Sequence, residues 1–561
     1  MFIKTTRSGK YEYLQIVETV REGGRITHKV RFNLGRKDAI VNNPEWQTLA
    51  AKLAVLTGLE KPAEKKKSSL DGLDLTEGII LNWGYVAYRK LWESLGLADE
   101  INLVQNGTKS QFSLDAAVFH MALHHLLCPG SKLNCFENQE RYAGLPEIQL
   151  QSLYRSLDIL CQHKEELEDN LFARNYSLLD ASLDIVFYDV TTFAFESVDN
   201  DALRDFGFSK DCKFNEVQVV LGMFIDSEGS PIGYELFPGN TFDGKTLANA
   251  LASLKRRFGI RRVIVVADRG INSKLNLKTI KDEGYDYIVA SRLKSMPSEV
   301  RKYALDQDGY SPLVVDEKTA EVIVRGKCCD YTNIIRDEKQ SIIDGLEERL
   351  IITHSMKRAR KDAADRERLL QKALHLLENP EIIRSSHKRG GKKYIKIEKA
   401  KETHYSLDEV AMQRDAVWDG YYAIQTSDKN ISAQQVLDAY HTLWKIEESF
   451  RIMKSALEVR PIYHWTPDRI RGHFVVCFLA FLLERKLEQR LHNNNIDNAS
   501  PLKIRAALND LTVTRTTLND EQIYLKSKIP HLAGDILHVL RIRQPSTISS
   551  EASWNMWLRG L

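Results

Sequence analysis

The chain has 561 residues, 43% of them hydrophobic and 28% charged, with a formal net charge of +3. That length predicts several domains with large cores, and the near-neutral balance excludes a uniformly basic polyanion binder, so any nucleic-acid footprint has to be local. Seven scattered cysteines, an odd number with no pair at zinc spacing, point to a reduced cytosolic protein rather than a disulfide scaffold. His124, His125, Cys128 and Cys135 are close in sequence, but their pattern reads as helix and turn packing rather than a zinc site. The first residues do not form a secretory signal. The longest apolar run, 474–483, is too short to cross a bilayer, so no membrane partner is expected.

In chain order, residues 2–37 alternate like strands, and Gly23-Gly24 between two such runs predicts a hairpin. Its basic residues either decorate a solvated sheet or touch nucleic acid. Residues 58–72 are charged and contain Pro and Ser-Ser, as a linker does. A helical region follows over about 83–175, with Ser113 as an N-cap and Pro129-Gly130 as a break. It binds DNA, mediates assembly or simply packs.

The next section is strongly patterned. Strands are predicted at Asp184-Ile-Val-Phe-Tyr-Asp-Val-Thr-Thr-Phe-Ala-Phe-Glu, at 214–226 and at 232–237. A helix covers 246–258. Arg262-Val-Ile-Val-Val-Ala-Asp is a buried strand, Asn272 or Ser273 caps another helix, and 285–290 is a fifth strand. Three strands, helix, strand, helix, strand is the order of an RNase H-like α/β fold, which still needs a closing helix. That helix is expected at 440–457, where Leu443, Ile446, Phe450, Met453 and Leu457 form an apolar face. Tyr440, Trp444, Glu447, Arg451 and Lys454 form a stripe beside it. Between lies a β-rich segment with a charged helix at about 356–378 and a basic loop at 384–393, read as an inserted domain.

The domain expectation is an N-terminal β-rich module (1–57), a linker (58–77), and a helical DNA-binding or assembly region (78–178). The catalytic domain begins at 179–298 and is interrupted by an insertion domain (299–430). Closing helices (431–490) and a C-terminal region (491–561) complete the chain.

Three acids stand out. Asp189 lies in the first strand of the fold, Asp268 ends the fourth, and Glu447 is on the late helix. A carboxylate after Val-Ile-Val-Val-Ala is badly placed as core and is expected at the carboxyl end of the strand, where α/β sheets build sites. In an RNase H-like sheet the first and fourth strands are neighbours, so the three acids converge. Glu448 points about 100° away around the helix and is the weaker candidate. Three carboxylates make a hard-oxygen site for Mg²⁺, with Mn²⁺ also suitable, fitted to in-line phosphodiester displacement.

These residues resemble the DDE transposases of bacterial insertion sequences, within the IS-four superfamily that carries a β-rich insertion. The resemblance rests on Tyr188-Asp-Val-Thr-Thr, Val266-Ala-Asp-Arg-Gly and Tyr440-(x6)-Glu447-(x6)-Lys454, and more loosely on Phe237-Pro-Gly-Asn-Thr and Arg460-Pro-Ile-Tyr-His. It implies that Asp189, Asp268 and Glu447 are metal-binding catalytic acids. It also implies that Tyr440 and Lys454 contact DNA near the scissile phosphate. The family pattern has arginine three residues after the tyrosine, where this chain has Leu443; Arg451 is the substitute on the same stripe. The resemblance further implies terminal inverted repeats and target DNA as partners, a homodimer in a synaptic complex, and a bacterial cytoplasmic, nucleoid-associated location. Trp418 is either a shelf for an extruded base or strand core. The rival readings are an RNase H-like nuclease that never joins ends and a non-catalytic DNA-binding derivative.

Overall fold

A computed structural model describes the chain apart from residues 23–24, 42, 58–77, 177–184, 208–214, 242, 259–263, 268–271, 316–320, 337–340, 380–389, 400–402 and 519–520. The Gly23-Gly24 turn, the linker, Asp268 and most of the basic loop therefore lie outside the described residues. Two compact units are present: Met1–Gly78 with Thr516–Ile523, and Ile79–Arg515 with Tyr524–Leu561.

In the first unit, β1 (Phe2–Ser8), β2 (Tyr11–Glu22) and β3 (Arg25–Arg36) form an antiparallel sheet in the order β1-β2-β3. The alternation in sequence anticipated β2 and β3, and β1 adds a third strand on the far edge of β2. Part of the basic decoration is paired: Arg31 with Glu18 across β3 and β2 at 2.5 Å, and Lys37, just after β3, with Glu12 at 2.8 Å.

The second unit starts with β4 (Ile79–Asn82), which pairs antiparallel with residues 512–515. Helices then fill the stretch to Asn175. Ser113 caps one of them, Leu114–Leu127, by accepting a hydrogen bond from Ala116 N. The helix ends just before Pro129-Gly130, which cannot continue it.

Among the described residues the central sheet has nine strands. In chain order they are β5 (Ile185–Ala194), β6 (Gln218–Ile225), β7 (Pro231–Pro238), β8 (Ile264–Ala267) and β9 (Asp286–Ala290). After these come β10 (Ser311–Val315), β11 (Val322–Arg336) and β12 (Ile342–His354). A separate hairpin, β13 (Ile395–Lys399) with β14 (Thr403–Leu407), precedes the last, β15 (Tyr421–Thr426). The spatial order is β10-β11-β12-β15-β9-β8-β5-β6-β7. β5, β8 and β9 run parallel, and all other neighbours are antiparallel. The strands between β9 and the late helices thus extend the sheet edge, rather than forming a sheet of their own. Only β13–β14 with the helices Met356–Glu378 and Glu409–Ala416 builds a satellite, around Ala373, Tyr394, Ile395 and Ala411.

Alternation along β5 sends its side chains to two cores. Val186, Tyr188 and Val190 pack with Leu247, Leu251 and Leu277 of the helices Asp243–Phe258 and Lys274–Asp282. Phe187 and Phe193 face the other way, into the core with Ile446, Phe450 and the long helix Pro467–His492. Lys274–Asp282 is capped by Ser273, which accepts from Asn276 N; Asn272 instead donates to Ala290 O at 2.6 Å.

Candidate active site

Asp189 shares the parity of Phe187 and Phe193, so it belongs to the sheet face covered by the late helices. It is half-buried, and its Oδ1 accepts the N–H of Val190 at 2.8 Å. Asp268 follows Ala267, the last residue of β8, and falls outside the described residues.

The late segment is not one regular helix, as its apolar spacing predicted. Ala433–His441 packs over β8, β9 and β15, and Trp444–Arg451 packs on β5. Between them the chain tightens: Leu443 N, Lys445 N and Ile446 N each bond a carbonyl three residues back. Beyond Arg451, residues Ile452–Ala456 widen into a π-helical turn. The apolar face still holds, with Leu443, Ile446, Phe450, Met453 and Leu457 all buried. Leu443 is therefore a core residue, 6% exposed.

Glu447 and Glu448 are adjacent and have different surroundings. Arg485 donates to Glu448 Oε2 at 3.1 Å and to Lys445 O at 3.3 Å, and Arg451 donates to Glu448 Oε1 at 3.2 Å. Glu448 is thus a clamp between this helix and Pro467–His492. Glu447 is exposed, and among the described residues its carboxylate makes no hydrogen bond or ion pair. Lys445 Nζ anchors the same helix to Ser227 O at 2.7 Å.

The remaining stripe residues divide. The ammonium of Lys454 lies 5.5 Å from the centroid of Phe193 of β5, on the Asp189 face. Arg451 is 72% exposed. The Tyr440 hydroxyl is bonded at 2.7 Å to that of Tyr422, not to Glu447. Tyr422 in turn lines an open cleft of about 480 Å³ with Trp418, Tyr421, Arg358, Arg366 and Lys393. Trp418 is half-buried there, edge-on to Tyr421. The cations of the cleft are largely paired: Arg366 with Asp419, Lys393 with Asp415, and Arg358 with Asp362 at 3.7 Å. The clamp residue Arg485 and the cleft tyrosine Tyr422 carried no sequence signal, because both act through partners far away in the chain.

The donor set is chemically consistent with a divalent cation. Asp189 and Glu447 offer hard carboxylate oxygens, one half-buried and one exposed without a competing cation.

The described structure thus combines a mixed α/β sheet, with Asp189 on the face covered by the late helices, and a cleft lined by aromatic and charged side chains. Residues 181–483 match the family model described as the transposase DDE domain, and the chain belongs to that family. Residues 2–61 match the model of the IS1634 family transposase N-terminal domain, which makes the protein a DDE-type transposase of an insertion sequence, an enzyme that cleaves DNA and transfers strands. Transposition is thereby favoured over the readings of a nuclease that never joins ends and of a non-catalytic derivative. Members of the family generally use divalent metal ions. A search of curated proteins found no match. Two similar solved structures are a piggyBac transposase synaptic complex with hairpin DNA and a Mos1 transposase paired-end complex with left transposon end. The first has 8% identity and a TM-score of 0.35, over 76% of this chain and 79% of that one. The second has 15% identity and a TM-score of 0.15, over 30% and 57%. Among the described residues, no helix is long and apolar enough to cross a membrane.

Proposed function

We propose that Asp189, Asp268 and Glu447 are the catalytic acids, and that they hold Mg²⁺, or alternatively Mn²⁺, for strand cleavage and joining at terminal inverted repeats. The observation that carries this is the placement of two of them. Asp189 is on the sheet face covered by the helices, and the helix packed on its strand leaves Glu447 exposed while Glu448 is tied to Arg485. Asp268 enters by register. Phe187 pairs with Val266 in parallel, and Asp189 and Asp268 each follow two residues later. The strand order β7-β6-β5-β8-β9, with only β5, β8 and β9 parallel, supports an RNase H-like core. Residues 299–430 are its insertion.

Bound divalent ions would activate a water or a 3′-hydroxyl and stabilise the leaving oxygen of an in-line displacement. The chain's own residues orient the reaction. The Val190 N–H holds one Asp189 oxygen, Lys454 presents a cation to a phosphate on the same face, and Arg451 extends the basic edge. Trp418 with Tyr421 and Tyr422 offers aromatic surface to an unpaired base, and Tyr440 ties that cleft to the helix Ala433–His441, which precedes the acid-bearing one. The assembly read here is a homodimer on paired element ends and target DNA, in the bacterial cytoplasm.

The test is nicking and strand transfer on DNA that carries the element ends. Asp189→Asn, Asp268→Asn and Glu447→Gln should each lower Mg²⁺-dependent cleavage by about a thousand-fold, since metal-based charge stabilisation is worth several kcal/mol. End binding in gel shifts should stay nearly unchanged. Wild-type nicking in any one variant would remove that residue from the site.

A further inference from the structure

The helical core holds a group of side chains that the cleavage reaction does not use. His125 is in the last turn of Leu114–Leu127, and His473 and Cys477 are one turn apart on Pro467–His492. Their exposures are 1%, 4% and 0%. One ligand atom from each lies within 4.8 Å of the others.

The backbone decides which nitrogen of each imidazole keeps a lone pair. A carbonyl oxygen only accepts, so His125 Nδ1 carries its proton towards Leu457 O at 2.9 Å. His473 Nε2 likewise donates to Val459 O at 3.1 Å. His125 Nε2 and His473 Nδ1 are left, at 3.8 Å and 4.0 Å from Cys477 Sγ, while His473 Nε2 is 3.5 Å from the same sulfur. With Zn–N near 2.0 Å and Zn–S near 2.3 Å, a tetrahedral site separates N and S by about 3.5 Å. The two N···S separations exceed that spacing by about 0.3 Å and 0.5 Å. Ligand histidines are commonly held in this way, with the second nitrogen bonded to a backbone carbonyl.

We propose that His125 Nε2, His473 Nδ1 and Cys477 Sγ form a structural site for a divalent ion of the zinc class, separate from the catalytic acids. The donor set, two imidazoles and a thiolate, selects zinc over magnesium. The fourth position falls to the Lys132 amine or to water. Lys132 Nζ is 3.0 Å from His125 Nε2, and a cavity of about 170 Å³ lined by His125, Lys132, His464 and His473 adjoins the group. Lys132 is 3% exposed, and among the described residues no carboxylate pairs with it. The site also has a mechanical consequence. Leu457 and Val459, which orient both imidazoles, directly follow the π-helical turn that ends the Glu447 segment. The ion would therefore fasten that segment to two core helices.

The experiment uses full-length protein with Asp189→Asn and Glu447→Gln in place, so that the acids do not contribute. Produced with zinc and passed through gel filtration in excess Mg²⁺, it should retain about one zinc per chain. Cys477→Ser and His473→Ala, each added to it, should lose that zinc. Where such a variant fails to fold, Co²⁺ titration of the stripped parent decides. Tetrahedral d–d bands with a thiolate charge-transfer band support the site. A folded parent that takes up neither zinc nor Co²⁺ with a thiolate band overturns it, and so does zinc retained in Cys477→Ser.

Discussion

Glu447 and Glu448 are the sharpest contrast at the scale of single residues. They have the same chemistry and adjacent positions, but one is exposed while the other bridges Arg485 and Arg451. Glu448→Gln should therefore keep nicking within about tenfold of wild type and lower the melting temperature, the reverse of Glu447→Gln. The loss expected is that of a charge-assisted bond to a largely buried arginine, about 2 kcal/mol. Helical geometry in sequence separated the two by about 100° around the helix. It did not anticipate Arg485, whose role depends on a helix crossing.

Glu484 gives a pH-dependent expectation. Burial, with Glu488 adding to it, pushes its carboxyl from 4.5 up to about 8, and Tyr88 Oη donates to it at 2.5 Å. The folded state binds this proton more tightly than the unfolded one. The stability it supports is complete below the unfolded value and is lost as pH rises towards about 8. Glu484→Gln should flatten that loss, so its melting temperature should exceed wild type at about pH 9 and approach it near about pH 5. Parallel melts across that range check it, and equal slopes would refute it.

Packing between elements is very close where Gly472 meets the helix Leu150–Gln162. A Cβ built on Gly472 would stand 2.0 Å from Leu157 O. Gly472→Ala should cost about 1–3 kcal/mol through forced separation of the helices, measurable by denaturant unfolding. At this scale the strands β5 to β9 and the helix Met356–Glu378 were legible to within a few residues, because burial on one or both faces imposes clear periods on them. The late segment was legible as helix but not in its irregularities. The tight turn at Thr442–Leu443 and the π-helical turn at Ile452–Ala456 come from seating one apolar face over several strands, and no local residue choice announces that.

For the whole molecule, a net charge of +3 means that DNA affinity rests on local cations. Binding to element ends should weaken steeply with salt, and Lys454→Ala should reduce the slope of log affinity against log salt by about 1. Arg366→Ala and Arg358→Ala should change the slope less, since Asp419 and Asp362 already pair with those guanidiniums. Anisotropy titrations across a salt series measure all three.

The sequence by itself determined the strand and helix order, the apolar face of the late segment, the candidate acids and the family resemblance. These depend on period, caps and short motifs, which are local. Only the tertiary structure decided that the inserted strands β10, β11, β12 and β15 continue the central sheet, that Tyr440 bonds Tyr422, and that His125 meets His473 and Cys477. Each of those pairings joins residues distant in the chain, through register and helix crossing, and such contacts leave no period in the sequence.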